Sequence, residues 1–341
     1  MKLVTYKTDK SEERIGIRFS DSNAPEQDSD PALGLIVDFA KGLSYLGGEM
    51  KLEVSDAATR NMVDFIKEQD KTLLLAKSIE MAYQDNALPQ DVFMRESKTT
   101  LISPVAHPAS TRDGYAFRQH VEAARRNRGV EMIPEFDEFP VFYFTNHLAT
   151  FGPGIMPVKE RHLDRLDFEL ECAIVIGKGG MDIPASKADE HIFGYMVMND
   201  WSARALQMQE MKLNLGPAKG KDFGNSFGPY LVTRDQLKPK RIDGEQGERY
   251  DLRMQCWVND IQVSDGNTKD MTWTFAQIIE RASYGVQLHP GEVIGSGTVG
   301  TGCFLELNGS KITDNQWLQD GDRIRLQIDE LGALDNTVKK F

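Results

Sequence analysis

The stretch DFELECAIVIG, residues 167–177, sets the hardest condition on the fold. AIVIG reads as a buried strand, and Glu169 and Glu171 enter it two residues apart. Side chains alternate between strand faces with a period of two, so both glutamates, and Asp167 before them, point to one side. An unpaired buried carboxylate is costly, and two on one face repel each other. The same E-x-E spacing also suits a solvated face, so the spacing alone leaves both possibilities open.

A divalent cation relieves both burial and repulsion. Hard oxygen donors point to Mg²⁺ or Ca²⁺, with Mn²⁺ also admissible. Asp200 ends the apolar run HIFGYMVMND and is a third carboxylate; Asp113, in the loop TRDGYAFRQH, is a fourth. Each has a plain alternative: Asp200 as a helix N-cap and Asp113 as a turn residue before Gly114. Their company favours chemistry. Arg204 and Gln207 lie three apart on the helical pattern after Asp200 and share a face. Lys221 sits in a Gly-rich loop, and His120 follows Asp113 by seven residues. Such groups bind carboxylates, polarise oxygen and move protons.

A net charge of −12 argues against a nucleic-acid surface, which needs a basic stripe. The densest basic run, Arg125, Arg126 and Arg128, is short and flanked by acids; it reads as a solvated helix face or as a segment that meets an anionic substrate. No apolar run approaches the roughly 20 residues of a membrane span. Lys2, Lys7 and Lys10 interrupt the start, so no signal peptide is expected. Cys172, Cys256 and Cys303 form no C-x-x-C; three buried thiols in a reducing cytoplasm are expected.

KLVTYK, RIGIRFS and LGLIVDF read as strands, DAATRNMVDFIKE as a helix with Asp56 as cap, and KTLLLAKSIEMAYQ as a second helix. Residues 1–95 form a small N-terminal α+β domain in this reading, and 96–341 a catalytic domain. In the latter, TTLISPV, HIFGYMVMND, GPYLVT, LRMQCWVND, VIGSG and DRIRLQIDELG are strands, while WSARALQMQEMK and MTWTFAQIIERAS are helices. Many short strands with few helices between them oppose a βαβ repeat; the expected class is mixed α/β, mainly β, with a β roll or barrel. GSGTVG, residues 295–300, matches the dinucleotide glycine pattern, but CFLEL after it reads as a strand rather than the required helix. Its glycines instead let the backbone turn or approach a ligand. GPAKGKD is one residue short of a phosphate loop and carries Asp222 where Ser or Thr is needed.

Together DFELECAIVIG, HIFGYMVMNDWSARALQ, GPAKGKDFGNSFGP, VIGSGTVGTG and LGALDNTV resemble the fumarylacetoacetate hydrolase family, over roughly residues 100–338. The resemblance implies that family's β roll or barrel and a metal held by Asp113, Glu169, Glu171 and Asp200. It implies His120 as general base, Glu306 as its orienting carboxylate, and Arg204, Gln207 and Lys221 as substrate or oxyanion partners. Tyr115, Tyr143 and Thr298 become substrate contacts. The implied activity is divalent-metal-dependent hydrolysis of a C–C bond in a 3,5-diketo acid or acylpyruvate, in aromatic compound catabolism, by a homodimer. Oxaloacetate decarboxylation, or another enolate-forming lyase or isomerase chemistry, is the alternative. Two departures bear on substrate. Gly129 occupies the register of a family substrate-binding arginine, and the link from Thr298 to Glu306 is short.

Overall fold

The Leu170–Ile176 strand is buried along its whole length because both faces of its sheet are covered. Cys172, Ile174 and Ile176 enter one core, and Ala173 and Val175 enter the other. This explains the unbroken apolar run, which a one-sided sheet would have replaced with alternation. The structure is a computed structural model and describes residues 1–20, 34–46, 52–127, 129–242 and 244–341. Arg128 and Leu33 lie outside the described residues.

The chain is mixed α/β and mainly sheet, as expected. The main path of the larger sheet runs Phe93–Arg95, Leu35–Asp38, Glu13–Phe19, Lys2–Lys7, Asn225–Thr233, Ile192–Asp200, Leu170–Ile176, Val293–Gly295, Thr111–Gly114 and Phe142–Thr145. A second sheet runs Ile261–Asn267, Arg253–Val258, Arg323–Ile328, Gly332–Lys340 and Gly154–Val158. Met254, Cys256, Ile324 and Leu326 of this second sheet share a core with Cys172 and Ile174. On the opposite face, Ala173, Val175, Met196 and Met198 pack with Phe65, Ile66, Leu75 and Ile79 from the helices Met62–Lys67 and Gln69–Gln84.

The N-terminal strands belong to the larger sheet. Lys2–Lys7 pairs antiparallel with Asn225–Thr233, with Leu3 opposite Leu231. Thr100–Ile102, a shorter strand than TTLISPV suggests, pairs with Lys2–Lys7 as well. Residues 1–95 thus supply one end of this sheet and helices for one of its faces.

Three local expectations are corrected. CFLEL is not a strand: Phe304–Gly309 is a short helix. Its start is held by Asp167, which accepts from Phe304 N (2.8 Å) and Leu305 N (3.0 Å) from across the fold. Asp56 makes no side-chain cap. Asn61 does so instead, accepting from Val63 N at 2.8 Å and starting the helix five residues later. LGLIVDF ends early, at Asp38, whose Oδ1 accepts from Lys41 N (2.8 Å) and turns the chain into the helix Phe39–Leu46.

Candidate active site

Strand pairing brings the four candidate ligands together. Leu170 lies opposite Asn199 in the antiparallel pair, and Asp200 N donates to Glu169 O at 3.3 Å, so Glu169 and Asp200 are neighbours at one end of the pair. Thr111–Gly114 runs parallel to Val293–Gly295 with Asp113 opposite Gly295, and Gly295 is opposite Ala173. A carboxylate oxygen from each of Asp113, Glu169, Glu171 and Asp200 lies within 4.8 Å of the others, and all four residues are buried. Neither alternative reading holds: Ala203, not Asp200, precedes the helix Arg204–Met211, and Asp113 sits within a strand.

Gly295 makes room for this ring. A Cβ there would stand 2.5 Å from Asp113 Oδ1 and 2.9 Å from Glu171 Oε2. Gly297 supplies the adjacent donor: its N–H reaches Asp113 Oδ1 (3.1 Å) and Glu171 Oε2 (3.2 Å) from a φ of +78°, which glycine adopts freely. The glycines of GSGTVG thus serve a carboxylate pair.

The ring's electrostatics follow from burial. Glu171 is pushed well above the ordinary carboxylate range by burial and then by Asp113. Burial also raises Asp113, and lifts Asp200 to about 7. Glu169 runs the other way: burial would raise it, but Arg204 and Lys221 hold it down. Arg204 Nη2 donates to Glu169 Oε1 at 2.7 Å, and Lys221 Nζ donates to both Glu169 and Asp200. Asp167, the first carboxylate of the opening motif, does not share the ring with the two glutamates as expected and instead pairs with Arg204 Nε at 2.9 Å. Five buried carboxylates therefore face two buried cations, Arg204 and Lys221. Asp200 Oδ1 is buried with no hydrogen-bond partner. An excess of buried carboxyl groups over cations, an orphaned carboxylate oxygen and an all-oxygen donor set fit a hard divalent cation held by Asp113, Glu169, Glu171 and Asp200.

His120 stands beside this ring in the first turn of the helix Arg118–Asn127. Its Nδ1 lies 2.6 Å from Glu306 Oε2, and Glu306 Oε1 accepts from Thr301 N at 3.0 Å. A carboxylate partner places the proton on Nδ1 and leaves Nε2 as the free acceptor. The Tyr115 ring packs edge-on to the His120 ring, with centroids 6.0 Å apart. The Tyr143 hydroxyl donates to Asp200 Oδ2 at 2.6 Å, and the Thr298 hydroxyl to Glu171 Oε1 at 3.3 Å. Gln207 accepts from Arg204 Nη1 at 3.1 Å. Lys221 is aimed by its loop, since Glu210 accepts from Ala218 N (2.8 Å) and Gly220 N (3.2 Å). Every site residue expected from the sequence thus lies in or beside one cluster. Gly129, in the arginine register, is exposed with a φ of +69°, while Arg125 donates to Glu131 O at 2.7 Å. Cys303, which from the sequence reads only as a buried thiol, has its Sγ beside His120 and Glu169.

Residues 109–339 match the sequence model of the family described as Fumarylacetoacetate (FAA) hydrolase C-terminal. The chain is 29% identical to oxaloacetate tautomerase YisK of Bacillus subtilis (strain 168) over 315 residues, covering 90% of this chain and 95% of that protein. The fold matches a fumarylacetoacetate hydrolase of Exiguobacterium antarcticum with a TM-score of 0.68 at 25% identity, over 100% of both chains. It also matches fumarylpyruvate hydrolase of Pseudomonas aeruginosa, solved with Mn²⁺ and pyruvate, with a TM-score of 0.55 at 21% identity, over 72% of this chain and 93% of that one.

Proposed function

The chain belongs to the fumarylacetoacetate hydrolase family, a family of enzymes, and on that premise we propose that it is a divalent-metal-dependent hydrolase cleaving a carbon–carbon bond in a 3,5-diketo acid or acylpyruvate. The observation that carries this reading is the buried His120–Glu306 pair beside the four-carboxylate ring. Mg²⁺ is the proposed ion, with Mn²⁺ and Ca²⁺ as substitutes; the Mn²⁺ in the Pseudomonas aeruginosa relative supports a divalent ion of this kind. When bound, such an ion supplies Lewis-acid polarisation of dicarbonyl oxygens and charge to balance an enolate.

The chain's own residues perform the proton movements. Glu306 fixes the His120 ring, so Nε2 takes a proton from water as its oxygen adds to the carbonyl carbon. Lys221 and Gln207 donate to the oxyanion that forms, a contribution of about 10²–10³ in rate for one such donor. The C–C bond then breaks, its electron pair enters the remaining adjoining carbonyl as an enolate, and His120 returns the proton to carbon. The products are a carboxylic acid and a shorter keto acid or ketone. Arg204 and Tyr143 hold Glu169 and Asp200 in place and present their outer faces to substrate oxygens. Tyr115 and Thr298 line the approach. A homodimer working in the cytoplasm, in aromatic compound catabolism, completes the proposal. Exposed Leu148, Leu213 and Leu215 offer apolar surface for a second copy, and light scattering would give the mass.

A panel of fumarylacetoacetate, fumarylpyruvate, maleylpyruvate, acylpyruvates and oxaloacetate, each with Mg²⁺ or with chelator, tests the reading. Hydrolysis is expected only with metal, and His120→Ala should lower it by about 10²–10⁴. Wild-type hydrolysis rates in that variant would overturn the assignment. A second reading, enolate-forming chemistry on oxaloacetate, is favoured by the tautomerase relative that spans nine-tenths of this chain. It needs no water nucleophile. Metal-dependent oxaloacetate tautomerisation or decarboxylation, with no diketo acid hydrolysed, would establish it.

A further inference from the structure

The ring prefers a hard ion, but a softer set of donors lies on its edge. A ring nitrogen of His120, a carboxylate oxygen of Glu169 and Cys303 Sγ all lie within 4.8 Å of one another, and all three residues are buried. Imidazole, thiolate and carboxylate together are a zinc donor set, and three protein ligands with one position left for water is its open form. Glu306 holds Nδ1, so Nε2 is the nitrogen free to bind. Cys303 precedes the helix Phe304–Gly309 with 0% exposure, and the Glu306 backbone N–H approaches its sulfur, a contact that favours the thiolate form that binds an ion.

We propose that His120, Cys303 and Glu169 form a second, inhibitory site for a soft divalent cation, Zn²⁺ or Cd²⁺, distinct in donor chemistry from the four-carboxylate ring. Bonds of about 2.0–2.3 Å require the three donors to close by roughly 1 Å from their widest separation. Glu169 belongs to both donor groups and shares its oxygens with Arg204 and Lys221, so it must release one of those cations and bridge the two ions. Binding forms the Zn–S bond and releases the Cys303 thiol proton to solvent. The ion also occupies the lone pair that the proposed hydrolysis uses, so its consequence is loss of the general base. That consequence rests on the proposed function; the binding does not.

Cd²⁺ titration of the Mg²⁺-saturated protein reads binding without turnover, through the ultraviolet charge-transfer absorption of cadmium–thiolate. One thiolate band per chain is expected. Cys303→Ser should remove it and weaken Zn²⁺ binding by at least about 100-fold, the upper end of what disturbing even an outer-shell partner does. Basal turnover should persist in that variant, and its Zn²⁺ inhibition should be lost. His120→Ala should also lose the band, although it cannot report on activity. Cys172 and Cys256 belong to no comparable donor group among the described residues, so a band that survives Cys303→Ser would overturn the site, as would its absence in the native protein. If Cys303→Ser fails to fold, Cys303→Ala with an unchanged melting temperature serves in its place. A band without any diketo acid hydrolysis would uphold this site while sinking the hydrolase reading.

Discussion

Asp200 and Glu171 hold protons that a carboxylate in water would release, chiefly because the fold buries them. Unfolding returns each to a value near about 4. The folded chain therefore binds more protons than the unfolded one from about pH 4 up to about 7, where Asp200 titrates. Stability falls as pH rises whenever the native state carries the extra protons. Glu169 acts in the opposite sense: its depressed value contributes stability that is present above the ordinary carboxylate range and is lost only in stronger acid. Metal-free protein should accordingly melt at a lower temperature at pH 8 than at pH 6, and saturating Mg²⁺ should flatten or reverse that slope. Differential scanning fluorimetry measures both; equal slopes with and without ion would disconnect these carboxylates from metal. Mg²⁺ binding at pH 6 should also release protons, visible as a dependence of calorimetric heat on the buffer.

Among the elements, the Val293–Gly295 strand has the narrowest tolerance. It must pair with Leu170–Ile176 on one side and Thr111–Gly114 on the other, and at Gly295 it must do so without a side chain. Gly295→Ala should fold, because the strand's φ there is ordinary, yet press a methyl group against Asp113 and Glu171. A loss of about 10–100-fold in Mg²⁺ affinity is expected, comparable to disturbing groups that orient metal ligands. Isothermal calorimetry reads this directly, and wild-type affinity would show that the ring can widen. The short Phe304–Gly309 helix shows what element-level pattern could not reveal. CFLEL has strand-like composition, but Asp167, far away in the chain, supplies the acceptors its first N–H groups need and so starts a helix. That same helix carries Glu306 to His120.

In the molecule as a whole, the strands that carry the carboxylate ring are the middle layer between helices and a second sheet. One face of that layer is closed by the N-terminal segment, and Lys2–Lys7 covers the edge of Asn225–Thr233. Deleting residues 1–95 should expose Ala173, Val175, Met196, Met198, Phe227 and Leu231 to water. Each of the larger side chains so exposed, Ala173 apart, costs about 1.5–3 kcal/mol when its burial was complete. A chain starting at residue 96 is expected to lack cooperative thermal unfolding and to aggregate. A sharp melting transition in that truncated chain would show that the N-terminal segment is a separable domain.

Residue type and short spacing alone carried the local chemistry: an apolar strand entered by Glu169 and Glu171, Asp200 at the end of another, and the family whose motifs they match. Those properties depend on residue type and short spacing, which the chain carries wherever it folds. Tertiary structure decided which neighbours each group met. It separated Asp167 from the ring and gave it to Arg204 and a helix N-terminus, set Lys221 between Glu169 and Asp200, and placed Cys303 beside His120. Those partners lie tens to more than a hundred residues apart, and charge, burial and hydrogen bonding act through space rather than along the chain.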